Sequence, residues 1–446
     1  MVSLLRMELP EGKDRSAKHG RKGKTVNKGG SESRQRRARA GRGRRRKPGL
    51  ARFAGGLPRI RPRCPIATDC GACALIDLSP EDQARVRRRA IEELTAFSSQ
   101  LAGVAIEPCA PGSPAWHYRT RARLVARLAE DGVRIGLFRR GTAEPVDLGP
   151  CLVHSAPVQR ALEATRRWLS DGGLAWPAGL VIGVDLRETT DGGVHVTVVA
   201  ARGGALPRDV VDALADHVEV LRGVGLVEGD PRSSYWADGA VRVLRGPGRI
   251  EVPAPDSVGG RLLVPVGGFF QAAPRALDPV HRRMRAHLAP AGGPLVDLYC
   301  GVGLHGLALA GPGEFLVGIE TSASAVAAAR ENAGRLGVRA EFVAAPVERV
   351  VADLLAGHRL GAVVLNPPRA GCRPEVLEAL SARPPGRAAY LSCNPFTLVR
   401  DLERLVDGGA VVTTIVPWDL LPQTDHVEVL ALLEWPAVRP GPGRTR

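Results

Sequence analysis

Two patterns of apolar residues divide the chain. Residues 115–260 alternate short β-like runs with turn signals, among them Asp131-Gly132 and Asp191-Gly192-Gly193. Such runs, joined by tight turns, predict an antiparallel sheet with a few helices. From about residue 261, apolar strands alternate with helical segments instead. That second pattern predicts a mostly parallel, doubly wound α/β sheet.

These patterns predict three regions. Residues 1–60 are basic and low in complexity, and we expect them to be a disordered tail. Residues 61–260 are expected to form a central α+β domain, and residues 261–440 a Rossmann-like α/β domain. The sequence Ser79-Pro80-Glu81-Asp82 predicts a helix start, because it has a Ser cap, a first-turn Pro and acids. We expect this helix, near 80–100, to pack on the last domain.

The net charge of +16 is concentrated near the start of the chain. Residues 11–50 contain sixteen Lys or Arg and three acids, a net charge of +13, so the remaining chain is near +3. Such a segment can hold RNA phosphates without sequence preference, although a solvated extension explains the same composition. Because no apolar run is long enough to span a bilayer and no secretory signal is found, we expect a cytoplasmic protein without a membrane partner. We also expect a monomer.

A glycine-rich loop predicts a nucleotide site in the last domain. Residues 297–303 end a strand and open a helix, and Glu320 ends the next strand at a distance suited to ribose hydroxyls. The full G-x-G-x-x-G pattern runs to Gly306, so a dinucleotide is the rival ligand. However, the fourth strand ends in Asn366-Pro367-Pro368-Arg369, which is typical of methyltransferases. The combination favours S-adenosylmethionine.

Cys393 is the candidate nucleophile and Glu428 the candidate general base. Cys393 follows a predicted strand, and Asn394-Pro395 turns the chain, which places the thiol at the edge where open α/β sheets bind ligands. A buried structural cysteine is the alternative interpretation. Glu428 lies at the start of the last predicted strand, where a surface glutamate is the alternative.

These residue types suit chemistry at carbon 5 of uracil, which is a poor nucleophile. Thiolate addition at carbon 6 creates an enolate whose carbon 5 can attack a sulfonium methyl group. A base must then remove the carbon 5 proton so that the thiol can leave. Because the thiolate is the reactive form, we expect the surroundings to lower the pKa of Cys393. We expect a closed, dry site to raise the pKa of Glu428.

Six stretches, in family order, resemble the RNA uracil-5-methyltransferases, and most of all the 23S ribosomal RNA members with a four-cysteine iron–sulfur site. They cover most of 261–436 and read GGFFQAAP, DLYCGVG, VGIETSASAVAAARENA, NPPRAG, YLSCNPFTLVRDL and LPQTDHVEVLALLE. The resemblance implies a class I methyltransferase domain that methylates carbon 5 of a specific uridine, expected in 23S ribosomal RNA.

The same resemblance implies roles for individual residues. Cys393 would form a covalent adduct with uracil carbon 6, and Glu428 would remove the carbon 5 proton. Contacts to S-adenosylmethionine are implied for Gln271, Tyr299 and Glu320. Asn366 stands where the family usually has Asp, and we expect it to bind the cofactor too, because Asn keeps a carbonyl acceptor.

The resemblance extends upstream to four cysteines: Cys64, Cys70, Cys73 and Cys151. Four thiolates suit a [4Fe–4S] cluster or a structural zinc, and the spacing alone leaves both open. The resemblance implies the iron–sulfur cluster, with zinc as the alternative. Residues 117–123 and 136–141 are basic with interleaved aromatics and also match the family, which predicts an RNA-facing sheet. An ordinary solvated strand is the alternative.

Other functions stay open. Transfer RNA is the alternative substrate, since the small β-barrel that begins many ribosomal members is not found. An RNA-binding protein with impaired catalysis is suggested by Asn366, although Cys393 and Glu428 are both retained. A flavin- and folate-dependent methylase is disfavoured because no N-terminal dinucleotide fingerprint exists. Cytosine methylation is disfavoured because Arg369 stands where those enzymes place their cysteine, with Cys372 as a weaker second thiol.

Overall fold

The structure is a computed structural model that describes residues 49–129, 132–171, 181–203, 208–229, 240–289, 292–357 and 360–436. These residues belong to one compact unit, Pro48–Arg446. The predicted basic tail lies, up to residue 48, outside the described residues.

The strands form two large sheets and one hairpin. In chain order they are β1 (Ala110–Pro111), β2 (Arg121–Ala129), β3 (Gly132–Phe138), β4 (Pro145–Asp147), β5 (Val181–Glu188), β6 (Val194–Ala201), β7 (Leu221–Gly229), β8 (Arg242–Arg245), β9 (Arg249–Pro253), β10 (Arg261–Pro265), β11 (Leu295–Leu298), β12 (Leu316–Glu320), β13 (Ala340–Ala344), β14 (Ala362–Leu365), β15 (Arg387–Ser392), β16 (Val411–Asp419) and β17 (Glu428–Glu434).

The α-helices alternate with the strands from β11 to β16. They are α1 (Pro80–Ala96), α2 (Ala156–Asp171), α3 (Arg208–His217), α4 (Asp278–Leu288), α5 (Leu304–Leu309), α6 (Ala323–Leu336), α7 (Val347–Gly357), α8 (Pro374–Ala382) and α9 (Pro395–Asp407). Short 3-10 turns occur at Leu50–Ala54, Asp256–Val258 and Pro274–Leu277.

The eight-stranded sheet carries the predicted nucleotide loop. Its order is β1-β16-β17-β15-β14-β11-β12-β13, and β11 to β15 run parallel. Strand β17 runs antiparallel between β15 and β16. The central strands β11 and β14 are buried along their whole length, as expected of apolar strands covered by helices on both faces. The predicted doubly wound α/β fold is confirmed.

The seven-stranded sheet has the order β4-β3-β2-β5-β6-β7-β8. Its pairs are antiparallel, as predicted, except that β6 and β7 run parallel. Helix α3 lies between those two strands in sequence and supplies the crossover that parallel neighbours need. The purely antiparallel expectation was wrong at that pair.

Helix α1 begins where the sequence predicts. The Ser79 hydroxyl caps it by accepting a hydrogen bond from the Asp82 backbone N–H at 3.1 Å. The helix packs on β16 of the eight-stranded sheet, and β1 adds a parallel edge strand beside β16. Chain from before residue 115 therefore supports the sheet that is otherwise built from the second half of the sequence.

Within the described residues, none of the helices combines the length and the apolar character that a membrane crossing requires.

Candidate active site

The carboxyl edge of the eight-stranded sheet collects the predicted site residues. Strands β14 and β15 run parallel and end at Leu365 and Ser392, next to Asn366 and Cys393. Strand β17 runs the other way, so it begins at this edge with Glu428. Because Ser392 pairs with Val429, the next position brings Cys393 opposite Glu428. The topology thus places the predicted nucleophile beside the predicted base.

Cys393 is partly exposed, so its thiol is not sealed in the core. Burial and the neighbouring Glu428 carboxylate raise the pKa of Cys393, while Arg369 opposes them through its charge and a hydrogen bond to the thiol. The expected lowering of the Cys393 pKa was therefore wrong. Arg369 acts in the expected direction, but desolvation is the larger effect.

Glu428 is a buried carboxyl at this edge, and its pKa is strongly raised. Its residue is 8% exposed, and burial raises its pKa to about 8 against the opposing charge of Arg369. One carboxyl oxygen, Oε2, has no hydrogen-bond partner among the described residues. A buried oxygen without a partner has full capacity to accept a proton from a ligand. The predicted rise of the Glu428 pKa agrees with this geometry.

Arg369 joins the site, and sequence reasoning missed it. Its guanidinium hydrogen-bonds the Cys393 thiol and lies 3.2 Å from His426 Nδ1. Burial and the Arg369 charge lower the pKa of His426, which is thus a neutral neighbour. A signal was present, because Arg369 directly follows the Asn366-Pro367-Pro368 strand ending. Its side-chain partners, 24 or more residues away in sequence, could not be read from that position.

The Cys393 loop is fastened to the Arg369 loop by Asn394. The Asn394 side chain donates to the Arg369 carbonyl at 2.8 Å and accepts from the Phe396 N–H at 3.2 Å, which caps helix α9. Thr397 Oγ1 donates to the same Arg369 carbonyl at 3.3 Å. One asparagine thus sets both the start of the helix and the separation of the two loops.

The glycine loop after β11 has the backbone geometry of a ligand cradle. Tyr299, Gly301 and Gly303 all have positive φ, which only glycine adopts without strain. The Glu320 carboxylate accepts from the backbone N–H of Gly301 at 3.2 Å and of Ser322 at 2.8 Å. Each carboxylate oxygen keeps a further lone pair, so Glu320 can still accept hydrogen bonds from a ribose.

Gln271 and Asn366 complete the predicted cofactor-binding residues, and both are half-buried. Gln271 is half-buried beside Ala272, whose carbonyl accepts from the Thr120 N–H at 2.9 Å. Asn366 is half-buried, and its amide nitrogen donates to the Leu391 carbonyl at 3.0 Å. Its backbone N–H faces the Leu298 carbonyl, one residue before Tyr299, at 3.5 Å. Asn366 therefore lies between the glycine loop and the strand that leads to Cys393.

The four upstream cysteines lie close together in space. Burial raises the pKa of Cys73 to about 12, and the thiols of Cys151, Cys70 and Cys64 each raise it further. The Cys70 loop is held on β3, where Gly71 N–H donates to the Phe138 carbonyl at 3.1 Å. Across the described ranges, however, no group of three or more His, Cys, Asp or Glu side chains is spaced to hold a metal ion. The structure thus brings the four thiols together but shows no metal site among the described residues.

Only some arginines of the two stretches predicted to face RNA, residues 117–123 and 136–141, are exposed to solvent. Arg121 is buried, and its guanidinium forms an ion pair with Asp185 that Arg123 shares. Although burial alone would raise it, the Arg121 guanidinium holds the pKa of Asp185 well below its usual range. Arg123 and Arg140 are exposed. The predicted RNA-facing role therefore fails for Arg121, whose position on β2 points it into an ion pair.

Comparisons with known proteins fit this arrangement. The family model described as tRNA (Uracil-5-)-methyltransferase matches residues 284–435. An uncharacterized RNA methyltransferase of Gloeobacter violaceus is 32% identical over 388 residues, covering 84% of this chain and 83% of that protein. Another, from Parasynechococcus marenigrum, is 31% identical over 391 residues, with coverage of 84% and 82%.

A solved structure shares the fold. It is the Pyrococcus abyssi tRNA (uracil-54, C5)-methyltransferase in complex with S-adenosyl-L-homocysteine. The TM-score is 0.64 at 24% identity, over 81% of this chain and 85% of that one.

Proposed function

We propose that this chain, which belongs to the tRNA (uracil-5-)-methyltransferase family, transfers a methyl group from S-adenosylmethionine to carbon 5 of a uridine in RNA. The observation that carries the proposal is the pairing of a partly exposed thiol, Cys393, with a buried carboxyl, Glu428, across adjacent strands. One oxygen of that carboxyl, Oε2, has no hydrogen-bond partner among the described residues. Carbon 5 methylation needs one group that adds to the pyrimidine and another that later takes its proton.

The proposed sequence of steps uses residues of this edge. The Cys393 thiolate adds to carbon 6, and the electron pair of the carbon 5–carbon 6 double bond moves toward oxygen 4. Carbon 5 then takes the methyl group, and S-adenosylhomocysteine leaves. Glu428 accepts the carbon 5 proton, the double bond re-forms, and the carbon 6–sulfur bond breaks. Arg369 stabilises the thiolate at the first and last steps by its positive charge.

The cofactor is proposed to bind at the glycine loop. Glu320 would accept from the ribose hydroxyls, while Tyr299, Gln271 and Asn366 would line the cleft beside it. The positive-φ residues of the loop let its backbone approach the ligand closely.

RNA containing 5-fluorouridine tests the covalent chemistry. Fluorine cannot be removed as a proton, so the wild-type enzyme should stall as a protein–RNA adduct that survives denaturing electrophoresis. Cys393→Ala should form no adduct. Cys372→Ala removes the second, buried thiol and should leave adduct formation intact. Adduct formation by Cys393→Ala would disprove the assignment of the nucleophile.

Ribosomal RNA is the proposed substrate, as the resemblance to the ribosomal members of the family implies. Mass mapping of 5-methyluridine in 23S ribosomal RNA and transfer RNA from a deletion strain tests this choice. Loss of one methyluridine from ribosomal RNA, with transfer RNA unchanged, is the expected result. A loss confined to transfer RNA would assign the enzyme to the alternative substrate.

An iron–sulfur cluster is proposed at Cys64, Cys70, Cys73 and Cys151. The four cysteines lie within electrostatic reach of each other, and their sulfur donors fit such a cluster in type. When bound, the cluster would crosslink the cysteine loop to the turn that bears Cys151.

Anaerobic purification tests the cluster. The protein should be brown and contain iron and sulfide. Cys73→Ser should lose the colour, whereas Cys109→Ser, a half-buried cysteine outside the four, should keep it. A colourless protein loaded with zinc would replace the cluster with the alternative metal.

A further inference from the structure

A line of buried polar side chains leads to Asn366, and the proposed chemistry does not use it. Ser257 Oγ lies 2.9 Å from His281 Nδ1, and His281 Nε2 lies 3.0 Å from His305 Nδ1. The two rings meet edge to face, with centroids 5.2 Å apart and planes inclined by 82°. His305 in turn hydrogen-bonds the Asn366 side chain. Three helices or turns thus contribute one connected chain.

Both imidazoles are desolvated and uncharged. His281 is 1% exposed and His305 is 4% exposed. Burial lowers the pKa of each, and for His281 the charge of Arg285 adds to the effect, as would a proton on His305. Two buried rings are stable here only because each finds hydrogen-bond partners on both nitrogens. Apolar side chains would fill the same space without that requirement.

The direction of every hydrogen bond follows from the Asn366 amide. Its nitrogen donates to the Leu391 carbonyl, which leaves its oxygen to accept from His305. A neutral imidazole has one donor and one acceptor, so His305 Nδ1 must accept from His281 Nε2–H. His281 Nδ1 then accepts from the Ser257 hydroxyl. Every hydrogen bond from Ser257 to Leu391 therefore runs in the same direction, with each residue donating to the next.

We propose that Ser257, His281 and His305 are positioning residues that hold the Asn366 carboxamide in one orientation beside the glycine loop. The inference rests on the proposed function, because Asn366 is proposed to contact S-adenosylmethionine. In this orientation Asn366 donates one amide hydrogen to the Leu391 carbonyl and keeps the second for solvent or the cofactor. It also assigns a reason for asparagine at this position.

Aspartate would not match these surroundings. An ionised carboxylate has no hydrogen to donate to the Leu391 carbonyl, and it would present two acceptors to one donor on His305. The amide supplies a donor on one side and an acceptor on the other, as the two neighbours require. Asn366 and His305 are therefore a matched pair in this chain.

NMR of the imidazole nitrogens tests the hydrogen-bond chain from Ser257 to Asn366 directly, and it does not depend on methyl transfer. In protein labelled with nitrogen-15 only at histidine, both His281 and His305 should be neutral and protonated at Nε2, with Nδ1 unprotonated. Assignment uses His281→Gln and His305→Gln. An Nδ1–H tautomer at either ring would contradict the deduced polarity and overturn the proposal.

Cofactor affinity tests the positioning role, with S-adenosylhomocysteine as the calorimetric probe. His305→Leu should bind it about five-fold more weakly, while His305→Gln, which keeps a donor for Asn366, should stay within about two-fold of the wild type. His287→Leu is the control, since His287 lies on α4 with His281 but bonds the Leu433 carbonyl and takes no part in the hydrogen-bond chain. It should bind like the wild type.

The outcomes separate the two levels of inference. Wild-type binding with no loss in His305→Leu would overturn the positioning role alone. Failure of the wild type itself to bind S-adenosylhomocysteine would overturn the proposed cofactor. Thermal melts of all three variants show whether each is folded before its affinity is compared.

Discussion

At the scale of single residues, Glu428 is the group whose chemistry depends most on its surroundings. Its pKa of about 8 keeps it protonated near neutral pH. A neutral Glu428 does not repel the Cys393 thiolate, so the first step of the proposed reaction meets only the cost of desolvation. The same carboxyl must first release its own proton to solvent before it can accept the proton of carbon 5. The two steps therefore ask for opposite charge states of one residue.

Glu428→Gln should separate these steps. Glutamine cannot take the carbon 5 proton. RNA that contains ordinary uridine, without fluorine, should therefore accumulate as a methylated covalent adduct on Cys393. Mass spectrometry of the digested adduct should find uridine plus a methyl group on the cysteine peptide. Free 5-methyluridine released at the wild-type rate would exclude Glu428 as the base.

Stability should depend on pH through the same residue. At pH 4 the carboxyl is protonated in both the folded and unfolded chains. Between about pH 4.5 and 8 the unfolded chain has lost a proton that the folded chain retains, so the free energy of unfolding falls as pH rises. Glutamine does not titrate. The advantage of Glu428→Gln over the wild type in urea unfolding should therefore be larger at pH 8 than at pH 5.

Arg369 should control the reactivity of the thiol. Removing its charge and hydrogen bond in Arg369→Leu should raise the pKa of Cys393, so alkylation by iodoacetamide at pH 8 should slow. Arg369→Lys keeps the charge, so its alkylation rate should lie between those of the wild type and Arg369→Leu. Peptide mapping isolates the Cys393 signal. Equal alkylation rates in all three proteins would show that Arg369 does not control the reactivity of Cys393.

At the scale of elements, the strand ends were predictable and their side-chain neighbours were not. Short apolar runs identified β14, β15 and β17, and the edge rule placed Cys393 where open α/β sheets bind ligands. The antiparallel direction of β17, which brings Glu428 to the same edge, was not predicted. The contact between Arg369 and Cys393 depends on how two loops are tied by Asn394. The His281–His305 pair depends on the packing of α4 against α5. Neither leaves a periodic trace in sequence.

Helix α1 shows the same limit. Its start was predicted from Ser79. The complete burial of Arg87, which lies on this helix, was not predicted. Arg87 donates to the carbonyls of Gln83, Thr424 and His426, and lies 2.9 Å from Asp419. A run of arginines gives no sign of which one turns inward. This contact fixes the segment that leads into Glu428.

Arg87→Leu should therefore destabilise the protein strongly. It leaves the Asp419 carboxylate and several carbonyls without a buried partner, which typically costs about 3–5 kcal/mol. Arg89→Leu is the matched control, because Arg89 lies on the same helix in an exposed ion pair with Glu93. That change should stay within about 0.5 kcal/mol. Urea unfolding measures both, and equal losses would remove Arg87 from this structural role.

At the scale of the whole molecule, the net charge does not show which arginines are free to contact RNA. The sequence predicted a basic RNA-facing surface from residues 117–123, yet Arg121 is paired with Asp185 inside the central sheet. Asp185 lies 64 residues further along, so no local pattern revealed the pair. Net charge counts every arginine alike, whereas only unpaired, exposed ones attract phosphates. Most of the remaining excess lies in the tail before residue 48.

Removing residues 1–47 should thus weaken RNA binding more than catalysis. The segment from 11 to 47 carries sixteen Lys or Arg, and the salt dependence of binding becomes shallower when a protein neutralises fewer phosphates. The truncated protein should bind RNA more weakly at low salt, with a smaller slope of log affinity against log salt. Its single-turnover rate at saturating RNA should match the full chain. A full-length protein with the tail order scrambled keeps the charge and should bind like the wild type, because phosphate contacts read no sequence. A truncated protein with an unchanged salt slope would show that the folded body alone holds the RNA.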